Sequence, residues 1–128
     1  MGENWIMRKG KDTIQDLSLR FAMDVVDLYK LLTRDKKEYV MSKQLLRSGT
    51  SIGANVRESQ NAESGTDFIH KLSISLKEAG ETEYWLYLLN HGGYISKKDY
   101  TKLNSQILSI IRMLTSIIKK KKQNMDVD

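Results

Sequence analysis

From Tyr100 to Ile117 an apolar residue recurs at alternating steps of three and four, at Tyr100, Leu103, Ile107, Ile110, Leu114 and Ile117. That is the period of one helix face and is close to a heptad seam. It is the strongest pattern in the chain, and a second feature agrees with it. None of the 128 residues is a proline, where average usage of roughly 5% gives about six. Proline breaks helix interiors, so its absence suits a fold made of long helices.

Three further segments read as helices. From Thr13 to about Thr33 the stripe is Ile14, Leu17, Phe21, Val25, Leu28 and Leu32, with Asp12 or Thr13 placed to cap it. The charged stretch Arg34 to Glu38 interrupts that stripe, and a second segment runs from about Tyr39 to Asn61 with Leu45, Ile52 and Val56 on one face. Gly49 and Gly53 lie inside it, each costing about 1 kcal/mol relative to Ala, and close approach of another helix is the simplest compensation. Ser64 to Asp67 has capping-box spacing and opens a third segment bearing Phe68, Leu72, Leu76, Ala79 and Leu86, which Gly92-Gly93 ends. Ser96 to Asp99 repeats the capping signal before the last segment. Helices over about 13–33, 39–61, 65–91 and 97–122, joined by short links, predict an antiparallel up-down-up-down four-helix bundle. Residues 1–12 read as an N-terminal arm, 13–122 as the bundle and 123–128 as a frayed tail.

Charge is distributed unevenly along the chain. Residues 1–95 balance 13 Lys and Arg against 13 Asp and Glu, whereas residues 96–122 hold eight basic residues and one acid. The net charge of +5 therefore originates in the last helix. Lys97, Lys98, Lys102, Arg112, Lys119, Lys120, Lys121 and Lys122 are candidate phosphate contacts, since Lys and Arg gain binding free energy by releasing counterions from a nucleic-acid backbone. Such contacts do not read sequence. The competing reading is local: lysines near a helix C-terminus favour the macrodipole, and four in a row point in four directions.

A lone antiparallel bundle needs one apolar stripe per helix, but Tyr84 to Leu89 is apolar on every side, and Leu108, Ile111 and Ile118 flank the last seam. Tyr84, Trp85, Tyr87 and Leu88 are therefore candidate subunit-interface residues, with Trp5, Ile6 and Met7 able to join them; a wide core stripe edged by aromatics is the alternative.

Several chemistries find no support. With no Cys there is no disulfide, thiolate metal site or cysteine nucleophile, and the composition suits a reducing, cytoplasmic setting. The longest apolar run, Trp85 to Leu89, falls far short of the roughly 20 residues that a membrane helix needs. Gly49 to Gly53 lacks the Gly-Lys-Ser/Thr of a P-loop. Asp67 and His70 have the spacing of one bundle metal pair, but a di-iron site needs two such pairs, and His91 lies in no matching motif. No nucleophile–base pair is signalled, so neither an enzyme, a metal nor a cofactor is expected. Asn55, Glu58 and Glu78 lie near core faces, where Arg47, Arg57 or Ser75 would complete a hydrogen-bonded network that fixes helix register; solvation of both glutamates at the stripe edge is the other reading.

Gln44-Leu-Leu-Arg-Ser-Gly-Thr-Ser-Ile-Gly-Ala-Asn-Val-Arg-Glu58 and Ser75-Leu-Lys-Glu78 with Glu81 resemble motifs of the four-helix bundle family encoded by intervening sequences in 23S ribosomal RNA genes. The likeness covers residues 13–120; Gly53 and Ser59 depart from the Pro and Gly usual there. The resemblance implies helix-packing roles for Ser51, Asn55, Glu58, Ser75 and Glu78, and no enzymatic activity. Family members are similar to the accessory variability determinant of diversity-generating retroelements, a basic pentamer that associates with a reverse transcriptase and binds nucleic acid. The resemblance thus implies a homopentamer that binds RNA or DNA, and the charge distribution puts that contact on the last helix. The alternative is a protein-interaction scaffold that docks a reverse transcriptase or another protein without touching nucleic acid.

Overall fold

The computed structural model describes residues 12–127, so Trp5, Ile6 and Met7 lie outside the described residues. Four helices follow in order: α1 (Ile14–Arg34), α2 (Met41–Ser59), α3 (Gly65–His91) and α4 (Lys97–Val127). Each packs on its sequence neighbours, and α1 also meets α4, closing an antiparallel four-helix ring. The α2–α3 pair is the most extensive and the α1–α4 pair the slimmest.

Local chemistry sets three of the four helix starts as the caps predict. Thr13 Oγ1 accepts from Asp16 N at 3.2 Å while Asp16 Oδ2 accepts from Thr13 N at 3.0 Å, a complete capping box. Ser64 and Ser96 accept from the backbone N–H of Asp67 and Asp99 at 3.0 and 3.1 Å. The start of α2 has no Ser, Thr, Asp or Asn cap; Glu38 does this work from below. Its carboxylate accepts from the N–H groups of Val40, Met41 and Ser42 at 3.2, 3.1 and 2.7 Å, and Ser42 Oγ donates back to the Glu38 carbonyl at 2.7 Å. Burial raises the Glu38 carboxyl pKa, but these N–H groups outweigh it and hold the acid below its ordinary value. Lys37, in the left-handed region at φ 56°, turns the chain so that Glu38 points inward. At the same end of the bundle, beside Asp35 and Lys36, Gly93, at φ 78°, closes α3, and Tyr94 N donates to Leu89 O at 3.0 Å.

The core runs in steps of three and four on every helix: Ile14, Phe21, Val25, Leu28 and Leu32; Leu45, Ile52 and Val56; Leu72, Ala79, Leu86 and Leu89; Leu103, Ile107, Ile110, Leu114 and Ile118. Three expected positions shift, and Phe68 and Tyr100 are only partly covered. In α3, Ser75 is buried where Leu76 was expected. In α1, Ser18 is buried where Leu17 was expected, and Leu17 is only partly covered. In α4, Ile118 replaces Ile117 at the end of the seam. The step from Ile107 to Ile118 is an eleven-residue one, which suits a straight helix better than a strict heptad does, because a seven-residue repeat drifts by roughly 20° per cycle. The glycines of α2 behave as expected: a Cβ on Gly49 would stand 3.0 Å from both Val25 methyls, and one on Gly53 3.4 Å from the Ser18 carbonyl oxygen. α2 therefore lies close against α1.

Helix α4 does not fray at Gln123 but continues to Val127. Its last turns lie over the start of α3, where a Cβ on Gly65 would stand 2.9 Å from Met125 Sδ.

Candidate nucleic-acid interface

The cations of the last helix are separated by the fold into three sets. Lys98, Lys102, Arg112, Lys119 and Lys120 are exposed on the side of α4 turned away from the core, together with Thr101, Ser105 and Ser116. Lys97 and Lys122 are exposed on the flank toward α3. Lys121 turns inward, its Nζ 5.7 Å from the centre of the Phe68 ring and its stem partly buried; this cation–π contact ties α4 to α3. No Asp or Glu occurs from Tyr100 to Met125, and none of the five outward cations joins a salt bridge among the described residues. Arg112 Nη2 donates to Ser109 Oγ at 3.2 Å, which steadies the guanidinium on the surface. Because α4 continues to Val127, its last turn contains no basic residue. The four lysines lie upstream of the region where the macrodipole acts, which falls off within one turn, so that competing account of them loses its main support.

The motif residues of α2 and α3 face a different task. Ser75, fully buried, donates to Ile52 O across the α2–α3 seam at 2.9 Å. Thr82 Oγ1 lies 2.8 Å from Glu78 O and 2.9 Å from Ser48 Oγ. With one proton per hydroxyl, the satisfied arrangement has Ser48 donating to Thr82 and Thr82 to the carbonyl. Ser51 and Asn55 bond within α2, to Arg47 O at 2.6 Å and Ser51 O at 2.8 Å. Glu58 is solvated and meets Lys71 Nζ at 3.3 Å. Glu78 is largely covered and pairs with Arg47 at 3.3 Å, and Glu81 takes the other arm of the same guanidinium. The two glutamates thus divide between the two readings. The Arg47 bond, then Trp85 Nε1–H at 3.3 Å, holds the Glu81 carboxyl below its ordinary pKa. Glu81 completes this cluster, and sequence reasoning had placed it only in the family motif.

Of the candidate interface residues, Tyr84 and Tyr87 are 57% and 60% exposed on the outer face of α3. Leu88 is half-covered, and Trp85 packs against the core with Tyr84 edge-on at 5.1 Å. Asp67 and His70 are not assembled into a metal cluster; Asp67 Oδ2 accepts from Glu63 N at 3.2 Å. Among the described residues no group of three or more His, Cys, Asp or Glu is placed to hold a metal ion, and no helix is long and apolar enough to cross a membrane.

Sequence reasoning missed Glu38, Ser48 and Thr82. For Ser48 and Thr82 a polar residue falling on a core step is the signal, visible only once the stripe's phase is known; Glu38, in the link before α2, leaves none.

Residues 11–116 match the family described as 23S rRNA-intervening sequence protein. The chain is also similar to a solved structure, a protein of unknown function from the S23 ribosomal protein family of Bacteroides thetaiotaomicron. The two are 56% identical with a TM-score of 0.82, over 83% of this chain and 95% of that one. Among curated proteins none matches.

Proposed function

This chain belongs to the 23S rRNA-intervening sequence protein family, and we propose that it is a non-catalytic, self-associating cytoplasmic protein that binds RNA or DNA electrostatically through α4. The observation that carries this reading is the outward face of α4: five exposed cations, four of them in the stretch from Tyr100 to Met125 that holds no acid. Long-range attraction to phosphate needs unneutralised charge at the surface, and this face supplies it. Tyr84 and Tyr87 support the self-association part, since exposed aromatics beside a half-covered leucine favour burial against another surface. A homopentamer is the assembly proposed, with the two tyrosines and Leu88 at its interface.

The test replaces Lys98, Lys102, Arg112, Lys119 and Lys120 together by Gln. Binding to labelled RNA and DNA is then followed across a salt series, with mass measured by light scattering. The wild-type affinity should fall with log salt at a slope of roughly −0.7 to −0.9 per cation engaged. The variant should keep its fold and mass while losing that dependence. Unchanged binding and slope would sink the reading. Function would then move to the tyrosine face and a protein partner, such as a reverse transcriptase.

A further inference from the structure

Viewed down its axis at roughly 100° per residue, α4 has a shaped outer ridge. Lys98, Ser105, Arg112 and Ser116 form the crest opposite the buried seam. Lys102 and Lys120 lie on the shoulder toward α1, Lys119 on the shoulder toward α3, and all seven are exposed. At the middle of the crest Arg112 stands between two small serines, while the lysines stand to its sides and ends. No aromatic residue occurs after Tyr100, so the ridge offers no platform for stacking unpaired bases, the usual device for holding single strands. It is also convex, a shape that a single strand does not need and a groove does.

We propose that this ridge seats in the major groove of B-form duplex DNA, with Arg112 and the crest serines toward the groove floor and the lysines on the two phosphate strands. The inference rests on the nucleic-acid reading above and narrows it to one ligand. An α-helix with its side chains is roughly 10–12 Å across, and the B-form major groove is about 12 Å wide. The A-form groove of duplex RNA is too deep and narrow to admit it. From Lys98 to Lys120 the ridge spans about 33 Å at 1.5 Å per residue. A rod of that length crossing a groove meets base edges at its middle, where Ser105, Arg112 and Ser116 lie, and phosphate walls toward its ends, where Lys98, Lys102, Lys119 and Lys120 lie; arginine is the commonest side chain to read guanine there. Asp24, Asp27 and Asp99 share a shallow groove with Lys102, so Lys102 contributes less than Arg112, Lys119 or Lys120.

The experiment compares the full chain with the double variant Ser105→Phe/Ser116→Phe, which adds bulk to the crest and no charge at two exposed positions. Fluorescence anisotropy is measured with duplex DNA of about two turns, duplex RNA of the same length and single-stranded DNA, all at one salt concentration. Thermal melting confirms that the variant folds. Expected for wild type is a preference for duplex DNA on the order of tenfold, displaced by the major-groove ligand methyl green and not by the minor-groove ligand netropsin. The variant should lose that preference while keeping salt-dependent binding to the single strand. Equal binding to all three probes, or binding indifferent to the crest variant, overturns groove insertion and leaves the electrostatic reading standing. A preference for duplex RNA overturns it in favour of A-form shape recognition. No binding to any probe at low salt overturns both.

Discussion

Along the α2–α3 seam Ser48, Ser75 and Thr82 are buried and bonded to each other or to backbone carbonyls, and Arg47 is clasped by Glu78 and Glu81. On the outside of α4, Ser105 and Ser116 are exposed, and among the described residues Arg112 bonds only the Ser109 hydroxyl. The two regions use the same residue types to opposite ends. The difference lies in what the neighbouring helix brings. At the seam α3 supplies acids and a close backbone, so small hydroxyls let the helices approach and the cation is neutralised. On α4 none of the outward cations is held in an ion pair among the described residues, so charge and hydrogen-bonding capacity stay available to a ligand.

Matched substitutions test this contrast. The largest effect is expected from Ser75→Leu, which forces a larger side chain into a filled seam and deletes the bond to Ile52; overpacking of this kind costs about 1–3 kcal/mol. The paired change Ser105→Leu on α4 should stay within about 0.5 kcal/mol, as exposed positions do. Chemical denaturation of both variants reads the difference, and equal losses would break the comparison.

Next in size is Glu38→Ala, expected to cost about 2 kcal/mol, because buried N–H groups of α2 lose their acceptor. Glu38 has a folded-state pKa below its unfolded value, near 4.3 for an ordinary glutamate. Its contribution is therefore complete above that range and is lost as pH falls through the folded pKa. Melts from neutral to acidic pH should show a decline that is shallower in Glu38→Gln. An identical decline in both proteins would remove Glu38 from the account.

Smaller again is Arg47→Met, which breaks a pair whose arginine side chain is 47% exposed; a loss of at most about 1 kcal/mol is expected, and it should shrink in high salt. Smallest is Arg112→Gln, which should leave the melting temperature unchanged while weakening nucleic-acid binding and reducing its salt slope by about one contact. A stability loss from Arg112→Gln larger than that from Arg47→Met would invert the comparison.

How far each region is legible in sequence follows from the same physics. The bundle is readable because Leu, Ile and Val at steps of three and four leave few ways to be covered, and because Thr13, Ser64 and Ser96 satisfy helix N–H groups from within a turn. The cap at α2 is not readable. Glu38 precedes the helix by three residues and reaches it only because Lys37 adopts a left-handed turn. The seam hydroxyls were hidden for another reason: a serine at a core step looks like a break in the stripe until the opposing backbone is known. The basic helix was evident from its charge, but the separation of Lys121 from its neighbours was not, since it depends on where Phe68 stands.

Sequence alone determined the helices, their order and the concentration of positive charge in the last of them, because these follow from local periodicity and counting. The tertiary structure decided which polar groups are consumed and which stay available. That outcome depends on the distance between residues far apart in the chain, such as Ser75 and Ile52 or Lys121 and Phe68. It also fixed the phase of α4, and with it which cations point outward, because a helix rotates as a rigid body to bury Ile107, Ile110, Leu114 and Ile118 together.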